Sequence, residues 1–239
     1  MHQMNTRFDA FDAGVRPQCA LETVHAPGAN LVWHRHRAAY AALVLDGAYV
    51  EMSVDGRFGC SRGSVVIHPA NHAHANEFRG QGARVLNILL ADNLPDLDRM
   101  IVLKPRHFKR LERLLRHDAT LAGEAILEDS SSIPPNEPPA WLRAMAEFMA
   151  DDGEPTSVAA TARRAGVSAA HACRAFSQYF GTTPTRFRRE HRLRRALALL
   201  KEGTAPAAAA AAVGFSDQSH LGRVVRRELG TTPAQLQRR

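Results

Sequence analysis

Two stretches of this chain share an ending and a spacing upstream of it. One is GVSAAHACRAFSQYFGTTP, from Gly166 to Pro184, and the other is GFSDQSHLGRVVRRELGTTP, from Gly214 to Pro233. With the GTTP endings superposed, Arg174 falls opposite Arg223, Phe176 opposite Val225 and Ala172 opposite Leu221, an offset of 49 positions. Two copies are too few for a stacked solenoid, whose units need several neighbours to bury a continuous core. They suit a tandem reader that lays one helix from each copy on the same partner. This constrains the fold more than any bulk property of the chain.

Each copy has the same local logic. A glycine follows a short alanine-rich or apolar helix and can take the left-handed conformation that ends it. Ser168 or Ser216 can then cap a second helix by accepting a backbone N–H. After that helix, Gly181 or Gly230 stops it, and Thr-Pro supplies the cap and first position of the next. A helix, a tight glycine turn and a second helix make the helix-turn-helix pattern, whose second helix enters the DNA major groove. Phe215 is expected to pack beside the second turn.

The paired turns, the GFSDQS run, the two GTTP endings and the connecting RLRRALALL resemble the DNA-binding domain of the AraC family of transcription regulators. The resemblance covers about the last 85 residues. It implies two reading helices on one stretch of duplex. In the first copy the outward positions are Ala170, Cys173 and Arg174. In the second they are Gln218, Ser219, Gly222 and Arg223. A guanidinium can pair with guanine O6 and N7, and a glutamine amide with adenine, so Arg174, Arg223 and Gln218 are the expected base readers. Arg226 and Arg227 are assigned to phosphate, which fixes position without reading sequence. The arginines between Arg186 and Arg195 line a connecting helix whose apolar stripe is Leu193, Leu197 and Leu200. Ala207 to Ala212 favour helix by propensity but bury little area. Family members usually carry larger aliphatic residues there.

Charge agrees with this division. Residues 156–239 carry 15 Lys+Arg against 4 Asp+Glu, whereas residues 1–155 carry 16 against 20, within an overall net charge of +7. A polyanion partner is therefore expected for one half only. No apolar run reaches the roughly 18 residues of a membrane span. The first residues, MHQMNTRFDAFDAG, lack a secretory pattern, so a cytoplasmic location is expected. Cys19, Cys60 and Cys173 are odd in number and scattered, and read as free thiols.

The first 90 residues are short apolar or alternating runs punctuated by glycine and proline. Ala39–Leu45, Ala48–Val54, Ser64–His68 and Arg84–Leu90 read as strands, with Asp46-Gly47 and Asp55-Gly56 as hairpin signals. Such a pattern suggests a small antiparallel barrel or sandwich. GANLVWHRHRAAYAALVLDG, from Gly28 to Gly47, resembles the first motif of the cupin barrel. GSVVIHPANHAH, from Gly63 to His74, resembles the second. Tyr40 stands where metal-binding cupins have glutamate, and Asn71 where they often have glycine. Sensor domains of AraC-type regulators often look like such degenerate cupins.

If His34 and His36 share a strand, their rings face one side, because residues two apart do so. His74 could complete a three-nitrogen set. With Tyr40 these residues form either a hydrogen-bonding ligand pocket or, through His34, His36 and His74, a site for zinc or a similar divalent ion. Trp33 and Tyr40 are candidate pocket walls or core, and Glu51, Asn76 and Glu77 could add polar contacts. His68 and His72 are expected in surface or structural roles.

Between the two halves, Phe108, Leu111, Leu114 and Leu115 mark an amphipathic helix, used either for packing on the barrel or for dimerisation. EDSSSIPPNEPP, residues 128–139, reads as a linker or exposed loop. A helix follows from Ala140 to Met149, packed on one domain or the other. The expected architecture is thus mixed and two-domain. A cupin-like antiparallel β-barrel covers residues 1–92, a helical linker or dimerisation region 93–152, and an all-α double helix-turn-helix domain 153–239. The function expected is sequence-specific, effector-responsive transcription regulation by a homodimer on double-stranded DNA. The alternative is a cupin-type metal-dependent enzyme with an attached DNA-binding domain.

Overall fold

A computed structural model describes residues 20–90, 98–117, 126, 130–151 and 156–237. Cys19 and Gly153 lie outside the described residues. The chain divides into two compact units, Met1–Asn136 and Glu137–Arg239.

Among the described residues, the first unit is an antiparallel sheet of eight strands: β1 Ala20–His25, β2 Asn30–Arg35, β3 Tyr40–Ser53, β4 Gly56–Ser61, β5 Val65–His68, β6 Ala73–Leu89, β7 Ile101–Pro105 and β8 Ser130–Ser132. The two long strands organise it. The first part of β3 pairs with the end of β6 and with β5, and its second part pairs with the start of β6 and with β4. β1 lies against the end of β6 and β2 against its start. Beyond β5 come β7 and β8.

Asp46-Gly47 does not turn the chain, which corrects the expected hairpin. The strand runs on through a register shift on either side of this dipeptide, between Val44 and Asp46 and between Gly47 and Tyr49. Gly47 has φ 74° and a Cβ there would run into the Gly82 carbonyl oxygen; Gly82 has φ 77° and its Cβ would run into His25 oxygen. The glycines let β3 and β6 bend together, as bulges do. Asp55-Gly56 does close a hairpin, between β3 and β4.

Alternation sorts the side chains of β3. Ala41, Leu43 and Leu45 join Val65, Ile67, Leu86 and Ile88 on one face, covered by Leu111 and Leu115 of α1, Phe108–His117. The helical stripe read from sequence is therefore spent on packing against the sheet. Tyr40, Ala42 and Val44 face the other way, into a core with Tyr49, Phe58, Cys60, Val66, Phe78 and Val85.

The proline-rich segment is more ordered than its composition suggested. Ser130–Ser132 pairs with β7, Ile133 donates its N–H to Val102 oxygen at 2.7 Å, and Asn136 donates to Arg57 oxygen at 2.8 Å. It occupies a sheet edge, where proline's missing donor costs least. The β unit thus extends well past residue 92, where composition had placed its limit.

The second unit is helical: α2 Ala140–Ala150, α3 Val158–Arg164, α4 Ala169–Phe180, α5 Pro184–Lys201, α6 Pro206–Ala212, α7 Gln218–Leu229 and α8 Pro233–Leu236. α2 packs on α5 and α4, with Leu142, Met145 and Met149 buried. Phe176, Phe180 and Phe187 form a ring cluster with centroids 4.8 to 5.3 Å apart in the first copy. The second copy is built on Leu193, Leu200, Val213, Phe215, Leu221, Val224, Val225 and Leu229. Ala209 and Ala210 belong to that same core and are fully buried. The polyalanine helix therefore contributes close approach rather than bulk, filling the space that larger residues would need.

Candidate functional site

The second unit presents two equivalent helix-turn-helix surfaces. Ser157 caps α3 through the Ala160 N–H, and Ser168 caps α4 through the His171 N–H at 3.2 Å. In the second copy Asp217, not Ser216, caps α7, accepting the His220 N–H at 2.7 Å. Ser216 instead hydrogen-bonds with the Asp217 carboxylate and His220 Nδ1, both at 3.1 Å. That backbone hydrogen bond is the first cause of a lowered Asp217 pKa, and an ionised carboxylate suits the positive end of a helix dipole. Gly181 and Gly230 end α4 and α7 in left-handed conformation, as the shared GTTP endings imply. Thr183 and Thr232 cap the helices that follow.

The faces expected to read bases are outward. Arg174 and Ala170 are exposed on α4 and Cys173 is partly so. Gln218, Ser219, Arg223, Arg226 and Arg227 are exposed on α7, with Gly222 partly exposed between them. The core partners Ala172, Phe176, Leu221 and Val225 are completely buried behind them. Sequence reading missed Ser177 and Gln178, exposed on α4 at the positions equivalent to Arg226 and Arg227. The 49-residue offset itself would have found them.

Several arginines of the connecting helix bind protein, which narrows the expected phosphate contacts. Arg188 donates to the Thr156 carbonyl at 2.6 Å and Arg192 to the Gly214 carbonyl at 3.1 Å. Arg189 lies between Glu190 and Glu228, at 3.8 and 3.9 Å. α5 is therefore tied to the start of the first copy, to the turn of the second, and to α7.

The β unit holds a cluster of histidines. His34 and His74 are direct cross-strand partners on β2 and β6, with ring centroids 4.3 Å apart. His36 sits one residue past β2, so strand alternation does not aim it; its ring still lies 5.1 Å from His34 and 5.6 Å from His74. The loop holds it there, because Asn71 donates its N–H to His36 oxygen and Arg35 donates to Asn71 oxygen. Asn71 has φ 62°, a conformation that asparagine tolerates better than most residues in place of glycine.

Tyr40 starts β3, where its register partners are His68 and Leu89, yet its hydroxyl lies 3.0 Å from His74 Nε2. The bend in the long strands brings the two ends together. His74 Nδ1 faces His72 oxygen at 3.3 Å. A carbonyl only accepts, so Nδ1 carries the proton and the Tyr40 hydroxyl donates to Nε2. His34 Nδ1 likewise donates to Val32 oxygen at 2.7 Å, which puts its lone pair on Nε2. One nitrogen from each of His34, His36 and His74 lies within 4.8 Å of the others. These residues fit a divalent ion by number, tautomer and proximity.

His68 and His72, expected at the surface or in structural roles, are buried beside this group at 2% and 3% exposure. The Tyr40 ring stacks on His68 at 4.4 Å. Glu51 is completely buried and accepts from Asn76 at 2.7 Å. Burial pushes its pKa well up, against the hydrogen bonds from Asn76 and Tyr49. Burial pushes His68 and His74 well down and takes His36 to about 3, helped there by His34. Glu51 and His68 lie 3.8 Å apart, and burial favours the neutral form of each.

Residues 161–239 match a family model described as a helix-turn-helix domain. A curated relative, the uncharacterized HTH-type transcriptional regulator YbfI of Bacillus subtilis, is 33% identical over 114 residues, covering 46% of this chain and 38% of its own length. The chain thus spans well under half of that relative. Among solved structures, an AraC-type transcriptional regulator of Chromobacterium violaceum is 31% identical over 41% of this chain and 89% of its own, with TM-score 0.38. ToxT of Vibrio cholerae is 10% identical over 90% of this chain and 96% of its own, with TM-score 0.42. No described helix is long and apolar enough to cross a membrane. Residues 161–239 are thus similar to a helix-turn-helix domain family.

Proposed function

We propose that the chain is a sequence-specific DNA-binding transcription regulator. Its β unit binds a small molecule or a divalent ion through His34, His36, Tyr40 and His74. Binding there shifts an equilibrium between DNA-competent and DNA-incompetent states. The observation that carries the DNA part is the paired surface. Two capped helices, equivalent in register, each expose one arginine at the same position over a fully buried core.

Arg174 and Arg223 read bases, with Ala170, Cys173, Gln218, Ser219 and Gly222 forming the rest of the two reading faces. Arg226 and Arg227 hold phosphate. The ties from Arg188, Arg189 and Arg192 support a fixed spacing between the copies, as two successive major grooves about 34 Å apart would require. The protein acts as a homodimer in the cytoplasm, and regulation rather than turnover is the role of its β unit.

The experiment is selection of DNA sites from a random pool by the full chain, repeated for Arg174→Ala and Arg223→Ala. Each variant should relax base choice at one separate cluster of the selected site. Selection of no common site by the unsubstituted chain would reject sequence-specific reading. For the sensor half, the double variant His34→Ala/His74→Ala should keep DNA affinity and lose the response to metals or metabolites that shift the wild-type melting curve. An unchanged response would reject the pocket assignment.

A further inference from the structure

We infer that the β unit holds a zinc-class divalent ion on His68, His72 and His74, a position deeper than the His34, His36 and His74 set. One nitrogen of each of these three rings lies within 4.8 Å of the other two, and all three residues are at most 3% exposed. The two sets share His74.

The hydrogen bonds point the same way. Asp55 Oδ2 lies 2.6 Å from His72 Nε2 and also accepts the Met100 N–H at 2.8 Å. A carboxylate that holds one imidazole N–H leaves the other nitrogen as a lone pair, the arrangement that orients histidine toward a metal. Among the described residues, that other nitrogen, His72 Nδ1, is buried and has no hydrogen-bond partner. His68 Nδ1 is in the same state. A buried polar atom without a partner is costly, and an ion that takes its lone pair removes that cost. The lone pair of His74 is on Nε2, where it accepts from Tyr40.

Three neutral imidazoles suit zinc or a similar borderline ion with an open fourth position. Position 40 supplies no carboxylate, but Glu51 lies 3.8 Å from His68 and is completely buried. An ion beside it would favour its ionised form, so that Glu51 balances part of the charge. Asp55 and Glu51 are positioning and balancing groups, and the three imidazoles are the ligands.

The geometry makes the ligand nitrogens diagnostic. The inner position uses Nδ1 of His68 and His72. In the outer position His34 has Nδ1 tied to Val32 oxygen and must bind through Nε2. The full chain is stripped with chelator, labelled with 15N at histidine, and titrated with zinc. Long-range 1H–15N spectra distinguish the two ring nitrogens. The expected result is one equivalent bound, with two metal-shifted nitrogens of the Nδ1 type. Shifted nitrogens all of the Nε2 type, or no saturable zinc uptake, overturn the proposal. Cobalt titration of His68→Gln, His72→Gln and His36→Gln gives an independent measure in chains whose circular dichroism matches wild type. The first two should weaken binding at least tenfold and the third less than threefold; the reverse order places the ion in the outer set and overturns the inner one.

Discussion

Replacing Gly47 by alanine tests the bend that assembles the histidine cluster. Gly47 has φ 74°, and an L-residue held there costs roughly 1–2 kcal/mol. The added Cβ also meets the backbone of Gly82 and Ala83 rather than a side chain that could swing away. Relieving such an overlap means moving strand against strand, at about 1–3 kcal/mol more. Gly28→Ala is the control. Gly28 has φ 78° but nothing within 4 Å of a Cβ, so only the conformational cost applies. Urea unfolding followed by Trp33 fluorescence, in a Trp141→Phe background, should separate the two variants. With a typical slope of about 1–3 kcal/mol per molar urea, the Gly47→Ala midpoint should lie near 1 M below that of Gly28→Ala. Equal midpoints would refute the idea that β3 and β6 depend on this close approach. The variant should also lose the 3.0 Å contact of Tyr40 with His74, since the two belong to opposite sides of the bend.

Arg223→Ala should cost about 1–3 kcal/mol of DNA binding and relax one base position, whereas Arg226→Ala should weaken all sequences alike and lower the salt slope by about one; competition titrations at several salt concentrations check both. Glu51→Gln should become more stable than wild type as pH rises in chelator-treated protein. Burial holds the folded carboxyl neutral above its ordinary value of 4.5, so unfolding releases a proton. Wild type then loses up to about 1.4 kcal/mol per pH unit from there until the folded carboxyl ionises, and the glutamine variant does not. Parallel pH profiles in thermal melts would mean that Glu51 is already ionised beside His68. Asp217→Ala should lower the melting temperature of the second unit more than Ser216→Ala, because only Asp217 accepts the α7 backbone N–H.

The helical unit was largely legible in the sequence. Its signals are local: a glycine that must take positive φ, a hydroxyl that caps, a proline at the first turn, and leucines at helical spacing. A repeat doubles each of them, so Arg174 and Arg223 could be placed on outward faces from register alone. Locality also explains the one slip there. Ser216 and Asp217 can both cap, and only the path of the turn decides which oxygen reaches the His220 N–H.

In the β unit, local pattern specified less. Alternation along β3 separates Leu43 from Tyr40 and Val44, and the spacing of His34, His36 and His74 marked a site. Dipeptide chemistry could not tell the turn at Asp55-Gly56 from the bend at Asp46-Gly47, because both use a glycine and only the partner strand differs. The burial of His68, His72 and Glu51 was hidden for the same reason. These residues are separated in sequence, and their environment exists only once β3 and β6 fold over and bring Tyr40 to His74. The sequence by itself determined two capped helices with matching exposed faces and a histidine-rich β unit. Tertiary structure decided which imidazoles are shielded from water, because burial is set by long-range strand pairing.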